Sequence, residues 1–114
     1  MGNNKTEEKV AFCIMKEPDY SGVTIVEITP DQKISNYGEA RKLADKEAKK
    51  HMEDSMLLSW YDRDRDYESP QHTTECHQDS AIPGYVDYGL NRGATLKVDI
   101  EKGRFVFFYV PVKL

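Results

Sequence analysis

Two imidazoles and one thiol fall within six residues of the chain, as His72, Cys76 and His77 in the stretch HTTECH. Zinc prefers cysteine and histidine ligands in proteins, so this one loop offers up to three donors. A thiol beside an imidazole is also the pairing that activates a cysteine nucleophile. The usual second ligand pair is missing nearby, and no catalytic signature flanks Cys76. A zinc-binding or thiol-based site is therefore one hypothesis, and a hydrogen-bonded polar loop is the other.

The stretch YVDYGLNRGA supplies a second candidate site, built from Tyr85, Tyr88, Asn91 and Arg92. The backbone amides around Asn91 and the Arg92 guanidinium are groups that bind anions, and tyrosine rings stack on planar ligands. The alternative is structural. In that interpretation the two glycines of the stretch make turns, and the tyrosines pack at the edge of the core.

Aspartate and arginine alternate in the stretch DRDRDY, which follows an apolar run. If the strand continued, Asp62, Asp64 and Asp66 would lie on one side and Arg63 and Arg65 on the other. Such an edge neutralises its own charge and discourages edge-to-edge association. The pattern predicts a solvated strand end.

The overall composition is that of a soluble globular domain. The chain has 114 residues, a formal net charge of −4 and a hydrophobic fraction of 39%. An acidic chain is poorly suited to neutralising phosphates, so nucleic-acid binding is not expected. No apolar run approaches the ~18 residues of a membrane span. We expect a disordered lead-in over residues 1–8, a single domain over 9–114 and a cytoplasmic location with both cysteines reduced.

Hydrophobic periodicity predicts the order β-β-α-β-loop-β-β. The segments are strands over residues 10–16 and 22–29, a helix within 35–54, a strand opening 55–67, a long connection over 68–93 and a hairpin over 94–112. The first two strands are close enough to form a hairpin, and a short helical turn near 84–90 is compatible with the connection. The prediction is an α+β fold of two layers, with an antiparallel or mixed sheet of about five strands and one main helix.

The helix has the clearest start signal. Asn36 is placed to accept from the amide of Glu39, and Glu39 to reach back to Asn36, as in a capping box. Apolar and small residues then recur at spacings of three and four along one stripe, which predicts the buried face. The members of that stripe are Tyr37, Ala40, Leu43, Ala44, Ala48, His51 and Met52.

The terminal hairpin has a register that its alternation defines. With Lys102 and Gly103 as a two-residue turn, Val98 faces Phe107, and the neighbouring apolar pairs share that face. Val106 and Phe108 make the second face of the last strand apolar as well. A strand apolar on both faces needs cover on both. Either the long connection supplies that cover or a second copy does, which makes a homodimer one prediction.

The stretches SWYDRDRDYESPQHTTECH and IPGYVDYGLNRGATLKVDIEKGRFVFFY resemble a small family of uncharacterised prokaryotic proteins, described as a domain of unknown function. The resemblance implies a compact stand-alone α+β domain, and it implies no activity, cofactor or site residue. The leading functional hypothesis is a non-catalytic binding or interaction module whose ligand the sequence does not identify. The alternative is the metal-binding or thiol-based site at His72, Cys76 and His77.

Overall fold

The computed structural model describes residues 18–71 and 83–112. Within those ranges the elements are β1 (Thr24–Ile28), α1 (Tyr37–His51), β2 (Ser55–Asp62), β3 (Tyr67–Ser69), α2 (Gly84–Asn91), β4 (Leu96–Ile100) and β5 (Phe105–Pro111). The predicted lead-in over 1–8 and the predicted strand over 10–16 lie outside the described residues. Neither described helix has the length and apolar character needed to cross a membrane.

The strands form one mixed sheet in the order β1-β4-β5-β2-β3. β1 pairs with β4 in parallel, and the other neighbouring strands pair antiparallel. Helix α1 connects β1 to β2 along the chain, and the β4–β5 hairpin lies between these two strands in the sheet. The predicted α+β fold with a five-stranded sheet and one main helix is confirmed.

The predicted hairpin register is also confirmed. Val98 pairs with Phe107, and the adjacent pairs on this face follow in step. Lys102 and Gly103 have φ angles of 53° and 87°, which supply the left-handed backbone that the tight turn needs. The face that packs against α1 is fully buried along both strands, so β4 and β5 form the centre of the core.

Helix α1 packs closely on this face because its inward residues are small. Ala40, Ala44 and Ala48 are buried completely. At the start of the helix, the Asn36 side chain accepts from the Glu39 amide at 3.1 Å, as predicted. The Glu39 carboxylate reaches back one residue further than predicted, and accepts from the amide of Ser35 at 2.8 Å.

The second face of β5 is covered within the chain. Helix α2 lies against it, and Val86 packs with the buried side chains of Val106 and Phe108. The described parts of the connection over 68–93 are regular, because they include the end of β3 and the helix α2. The apolar second face of β5, which suggested a homodimer, has an intramolecular explanation.

Strand β2 contains a bulge that interrupts the regular alternation of side chains between the two faces of the sheet. Its register shifts between Leu57, which pairs with Tyr109, and Ser59, which pairs with Phe108. The bulge leaves Leu58 as an extra residue, so Leu57 packs in the core on the α1 face while Leu58 packs with the α2 side. Leu57 and Leu58 still lie on opposite faces of the sheet. The residues after Leu58 lie on the faces opposite to those that unbroken alternation would give them.

Candidate functional site

An open cleft of about 370 Å³ lies where α1 begins and β2 ends. Helix α1 connects β1 to β2, and these two strands run in the same direction in the sheet. The helix therefore runs back across the sheet, and its N-terminus lies near the carboxyl end of β2. We call this cavity the Arg65 cleft. Its lining consists of Ser35, Asn36, Tyr37, Gly38, Asp62, Asp64 and Arg65.

The floor of the Arg65 cleft carries a buried carboxylate. Asp62 is only 2% exposed and lies on the α1 face of the sheet, opposite Phe105. Its carboxylate accepts from Arg65 Nε at 2.6 Å and from the Arg65 backbone amide at 3.3 Å. A buried charge is costly unless it is paired, so Arg65 is the counter-ion that makes this position tolerable for Asp62.

The Arg65 guanidinium sits among three aromatic rings. Its carbon lies 5.6 Å from the ring centre of Tyr37, 5.8 Å from that of Trp60 and 5.5 Å from that of Tyr67. The Trp60 ring in turn lies 4.3 Å from Tyr37 and 5.5 Å from Tyr67. Ring faces attract cations at these distances. We call Tyr37, Trp60 and Tyr67, with Asp62, the aromatic cage.

The other aspartates of the DRDRD stretch have different partners. Asp64 accepts from Arg104 Nη2 at 2.6 Å, and this hydrogen bond lowers the pKa of its carboxyl. Asp66 accepts from the Tyr61 hydroxyl at 2.9 Å. The predicted strand end with aspartates on one side is wrong, because β2 stops at Asp62 and the chain turns, with Asp66 at a φ of 50°.

A second cleft, of about 310 Å³, opens along the side of α1. It is lined by Arg41, Asp45, Lys49, Glu53, Asp54, Ser55, Leu57 and Tyr109. The Tyr109 hydroxyl donates to Asp45, and Arg41 Nε contacts both Asp45 oxygens at 3.1 Å. Burial and that hydrogen bond raise the pKa of Tyr109. A tyrosine shifted this way is a poor proton donor or base near neutral pH.

Helix α2 carries the site predicted from Tyr85, Tyr88, Asn91 and Arg92. Tyr85 packs into the core, with its ring stacked on Tyr61 at 5.1 Å, and burial raises its pKa. Arg92 lies over the Tyr88 ring at 4.2 Å. The Asn91 amide donates to Asp87 at 3.3 Å. These four residues line neither of the two clefts.

The backbone at the end of α2 is already engaged. The Arg92 amide donates to the carbonyl of Tyr88, and the Gly93 amide donates to that of Leu90. Both bonds close the last turn of the helix, where carbonyl groups rather than amides point outward. An anion bound by these amides, as the sequence suggested, would have to displace those bonds. Ligand binding by the side chains of Tyr88 and Arg92 stays a prediction.

The predicted metal or thiol loop, with His72, Cys76 and His77, lies outside the described residues. Over 18–71 and 83–112, no group of three or more histidine, cysteine, aspartate or glutamate side chains is arranged to hold a metal ion.

Sequence reasoning missed the aromatic cage. Trp60 and Tyr67 flank the turn from opposite strands of the β2–β3 hairpin, and Tyr37 comes from the first turn of α1. The one available signal was Asp62 placed three residues before Arg65, a spacing at which an aspartate caps a turn. That signal would have located the turn, but it does not reveal that three rings meet beside it.

Comparison with known families places this geometry in context. Residues 23–109 match the model of a family described as "Domain of unknown function (DUF5619)", and this match spans more than half of the chain. The chain belongs to the DUF5619 family. The expected resemblance to an uncharacterised family is confirmed.

The fold of this DUF5619 member recurs in a solved structure. The crystal structure of AF1514, described as a novel protein from Archeoglobus fulgidus DSM 4304, matches with a TM-score of 0.61 and 24% sequence identity. The match covers 81% of this chain and 96% of that chain. At this identity the likeness shows a shared fold. A comparison with curated proteins found no match.

Proposed function

We propose that this DUF5619 domain is a non-catalytic binding module and that its ligand site is the Arg65 cleft. The observation that supports the proposal is the aromatic cage, in which ring centres from α1, β2 and β3 lie 5.5–5.8 Å from one guanidinium that also pairs with the buried Asp62. Aromatic surface beside a few well-placed polar groups is the usual composition of a ligand site.

The size of the cleft favours a small ligand. A volume of about 370 Å³ lies near the lower end of the range for small-molecule pockets, roughly 300–1,000 Å³. Such a cleft accommodates one side chain of a partner or one small molecule. Tyr67, which contacts Arg65 from β3, is exposed, and Asp64, which lines the cleft, is partly exposed, so both are accessible to a ligand.

The protonation chemistry of the described residues favours binding over catalysis. A general acid or base works best with a pKa near the working pH. The pKa values around the two clefts are shifted away from neutral pH, because the pKa of Asp64 is lowered and that of Tyr109 is raised. These groups keep one protonation state across the neutral range, which suits recognition rather than proton transfer.

The test is a set of NMR titrations of the ¹⁵N-labelled protein with four small probes: acetate, inorganic phosphate, methylguanidinium and benzamide. We expect that at least one of the four probes, added at millimolar concentration, shifts the amide resonances of residues 35–38 and 62–65 at lower concentration than those of α2. The matched variant Tyr67→Ala should weaken that binding, whereas Tyr88→Ala should leave it unchanged. Shifts confined to α2, or no shift with any probe, would contradict the proposal.

The metal-binding or thiol-based site at His72, Cys76 and His77 stays a prediction, and it competes with this proposal. Metal analysis of the purified protein, repeated on Cys76→Ala, separates the two. Stoichiometric zinc that disappears in the variant would favour the metal site. Self-association also stays a prediction, and sedimentation velocity at micromolar concentration tests it, since a strict monomer removes it.

A further inference from the structure

We propose that the aromatic cage binds a guanidinium group from another molecule, and that Arg65 is an internal occupant which this ligand displaces. The inference rests on the proposed function, because Tyr37 and Asp62 of the cage, together with Arg65 itself, line the same cleft. It adds the chemical class of the ligand and a mechanism that keeps the site closed until the ligand arrives.

The fit of a guanidinium to this site is visible in the contacts of Arg65. The group lies between 5.5 and 5.8 Å from three ring centres, and its Nε donates to Asp62 at 2.6 Å. A guanidinium is planar and weakly hydrated, so it stacks on rings and pairs with carboxylates better than an ammonium does. The residues that hold Arg65 are therefore suited to any guanidinium of similar reach.

Arg65 is attached in a way that allows it to leave. Its side chain is 56% exposed, and within the described residues its one ion pair is with Asp62. Arg104 provides the contrast on the same side of the molecule. It is 15% exposed and donates to Asp64, to Glu101 and to the carbonyl of Ile34. Among the described residues, displacing Arg65 breaks one ion pair and its contacts with the three rings, which an incoming guanidinium would replace, whereas displacing Arg104 would break two ion pairs and a hydrogen bond to the backbone.

The cage without Arg65 selects for a cation. Its ring faces carry negative electrostatic potential, and Asp62 would remain as a buried carboxylate without a counter-ion. Asp64, which also lines the cleft, is paired with Arg104, so the attraction for a cation comes from the rings and Asp62. An empty cage is therefore unfavourable, and an anion would be repelled. The site exchanges one cation for another.

The internal occupant sets the apparent affinity. When a binding-competent state is populated for a fraction of the time, the apparent Kd rises by the inverse of that fraction. If Arg65 occupies the cage for about nine-tenths of the time, removing it strengthens guanidinium binding about tenfold. This factor is what the experiment measures.

Trp60 makes the experiment direct, because it is the only tryptophan of the chain and forms one wall of the cage. Its fluorescence is followed while methylguanidinium is added to the wild type, to Arg65→Ala and to Arg63→Ala. Arg63 is the matched control, since it lies on the same turn, is exposed, and contacts the Lys102 carbonyl rather than the cage. Amide NMR spectra verify that each variant is folded.

The expected result is an apparent Kd about tenfold lower for Arg65→Ala than for the wild type and Arg63→Ala. Tetramethylammonium should bind Arg65→Ala more weakly than methylguanidinium, because it cannot donate to Asp62. The peptide acetyl-Gly-Arg-Gly-amide distinguishes the source of the ligand. Tighter binding of the peptide than of the free ion indicates an arginine of another protein, and equal binding indicates a small molecule.

Equal Kd values for the three proteins would overturn the inference. A measurement on the wild type alone covers the case in which Arg65→Ala does not fold. Methylguanidinium should then shift the Arg65 Nε–H resonance as its bond to Asp62 breaks, and an unmoved resonance at saturation would overturn the proposal. If acetate, phosphate or benzamide reaches the cleft while methylguanidinium does not bind Arg65→Ala, the ligand class is wrong and the proposed function stands. If no probe reaches the cleft in either protein, both fail.

Discussion

Gly89 of α2 lies directly against Phe108 of β5, so that a Cβ at position 89 would come within 2.9 Å of the Phe108 Cβ. The hydroxyl oxygen of Ser59, which pairs with Phe108 from the neighbouring strand, would be 3.0 Å away. Phe108 is fully buried in the central strand and cannot move aside. This glycine therefore sets how closely α2 approaches the sheet.

We predict that Gly89→Ala destabilises the protein. Overpacking costs about 1–3 kcal/mol, and the upper half of that range, about 2–3 kcal/mol, applies because the contacted ring is buried. The better helix propensity of alanine returns about 1 kcal/mol, so a net loss of about 1–2 kcal/mol is expected. Urea unfolding measures it. Asn91→Ala, at an exposed position of the same helix, is the control and should change stability by less than about 0.5 kcal/mol. Unchanged or increased stability of Gly89→Ala would show that α2 is not held this tightly.

The hairpin turn gives a second prediction. Gly103 has a φ of 87°, and apart from its two chain neighbours no described residue has a heavy atom within 4 Å of a Cβ built there, so the cost of a side chain is conformational. Gly103→Ala should lose about 1–2 kcal/mol of stability. Lys102→Ala is the control. Lysine and alanine both carry a Cβ, so this substitution leaves the backbone strain at position 102 unchanged. Equal unfolding midpoints for the two variants would contradict the proposed turn geometry.

Tyr109→Phe tests the buried network beside α1. At about pH 7 the variant should be less stable by about 1 kcal/mol, the typical value of one hydrogen bond, because Asp45 loses the Tyr109 hydroxyl. The folded protein raises the pKa of Tyr109, so an unfolded chain releases this proton first as the pH rises above about 10. The stabilising contribution is thus complete below about pH 10 and declines above it.

The measurement for Tyr109 is urea unfolding of both proteins at neutral pH and at about pH 11. The difference in free energy of unfolding should shrink in alkali. Tyr88→Phe is the control, since the described contacts of Tyr88 involve its ring rather than its hydroxyl. A difference that stays constant with pH would mean that the Tyr109 hydroxyl is not held in its neutral form.

Asp64→Asn tests the ion pair between Asp64 and Arg104 through its expected loss at low pH. The hydrogen bond from Arg104 lowers the pKa of Asp64 in the folded protein, so the pair stabilises above the ordinary carboxyl pKa. That contribution is lost as the pH falls through the lowered value. The wild type should therefore unfold at higher urea concentration than the variant at neutral pH, and the two midpoints should converge in acid.

Asp31→Asn serves as the matched control for Asp64→Asn. Asp31 is also exposed, and no ion pair of the described residues includes it. Its substitution should leave the urea midpoint nearly unchanged at both pH values. Parallel pH profiles for the wild type and Asp64→Asn would argue that Asp64 and Arg104 do not pair in solution.

Several parts of the fold could be predicted because short-range rules govern them. The β4–β5 register follows from alternation on both sides of a tight turn, since a slip of one residue would put Val98 and Phe107 on opposite faces of the sheet. The start of α1 follows from Asn36, whose side chain caps an amide three residues ahead. Each of these features depends on groups close together in the sequence.

The remaining features depend on contacts between distant segments. The sequence around Leu58 reads as plain alternation, and only packing on both faces of the sheet decides that β2 needs an extra residue there. The parallel pairing of β1 with β4 leaves no local trace either.

The candidate site shows the same division most clearly. A carboxylate and a guanidinium three residues apart, at Asp62 and Arg65, are visible in the amino-acid sequence, as is the polar character of the chain around them. That the rings of Tyr37, Trp60 and Tyr67 lie beside that guanidinium follows from the folding of the whole chain. The reason is physical: capping and alternation act over a few residues, whereas a cage is formed only when the packing of α1 on the sheet brings separate elements to one point.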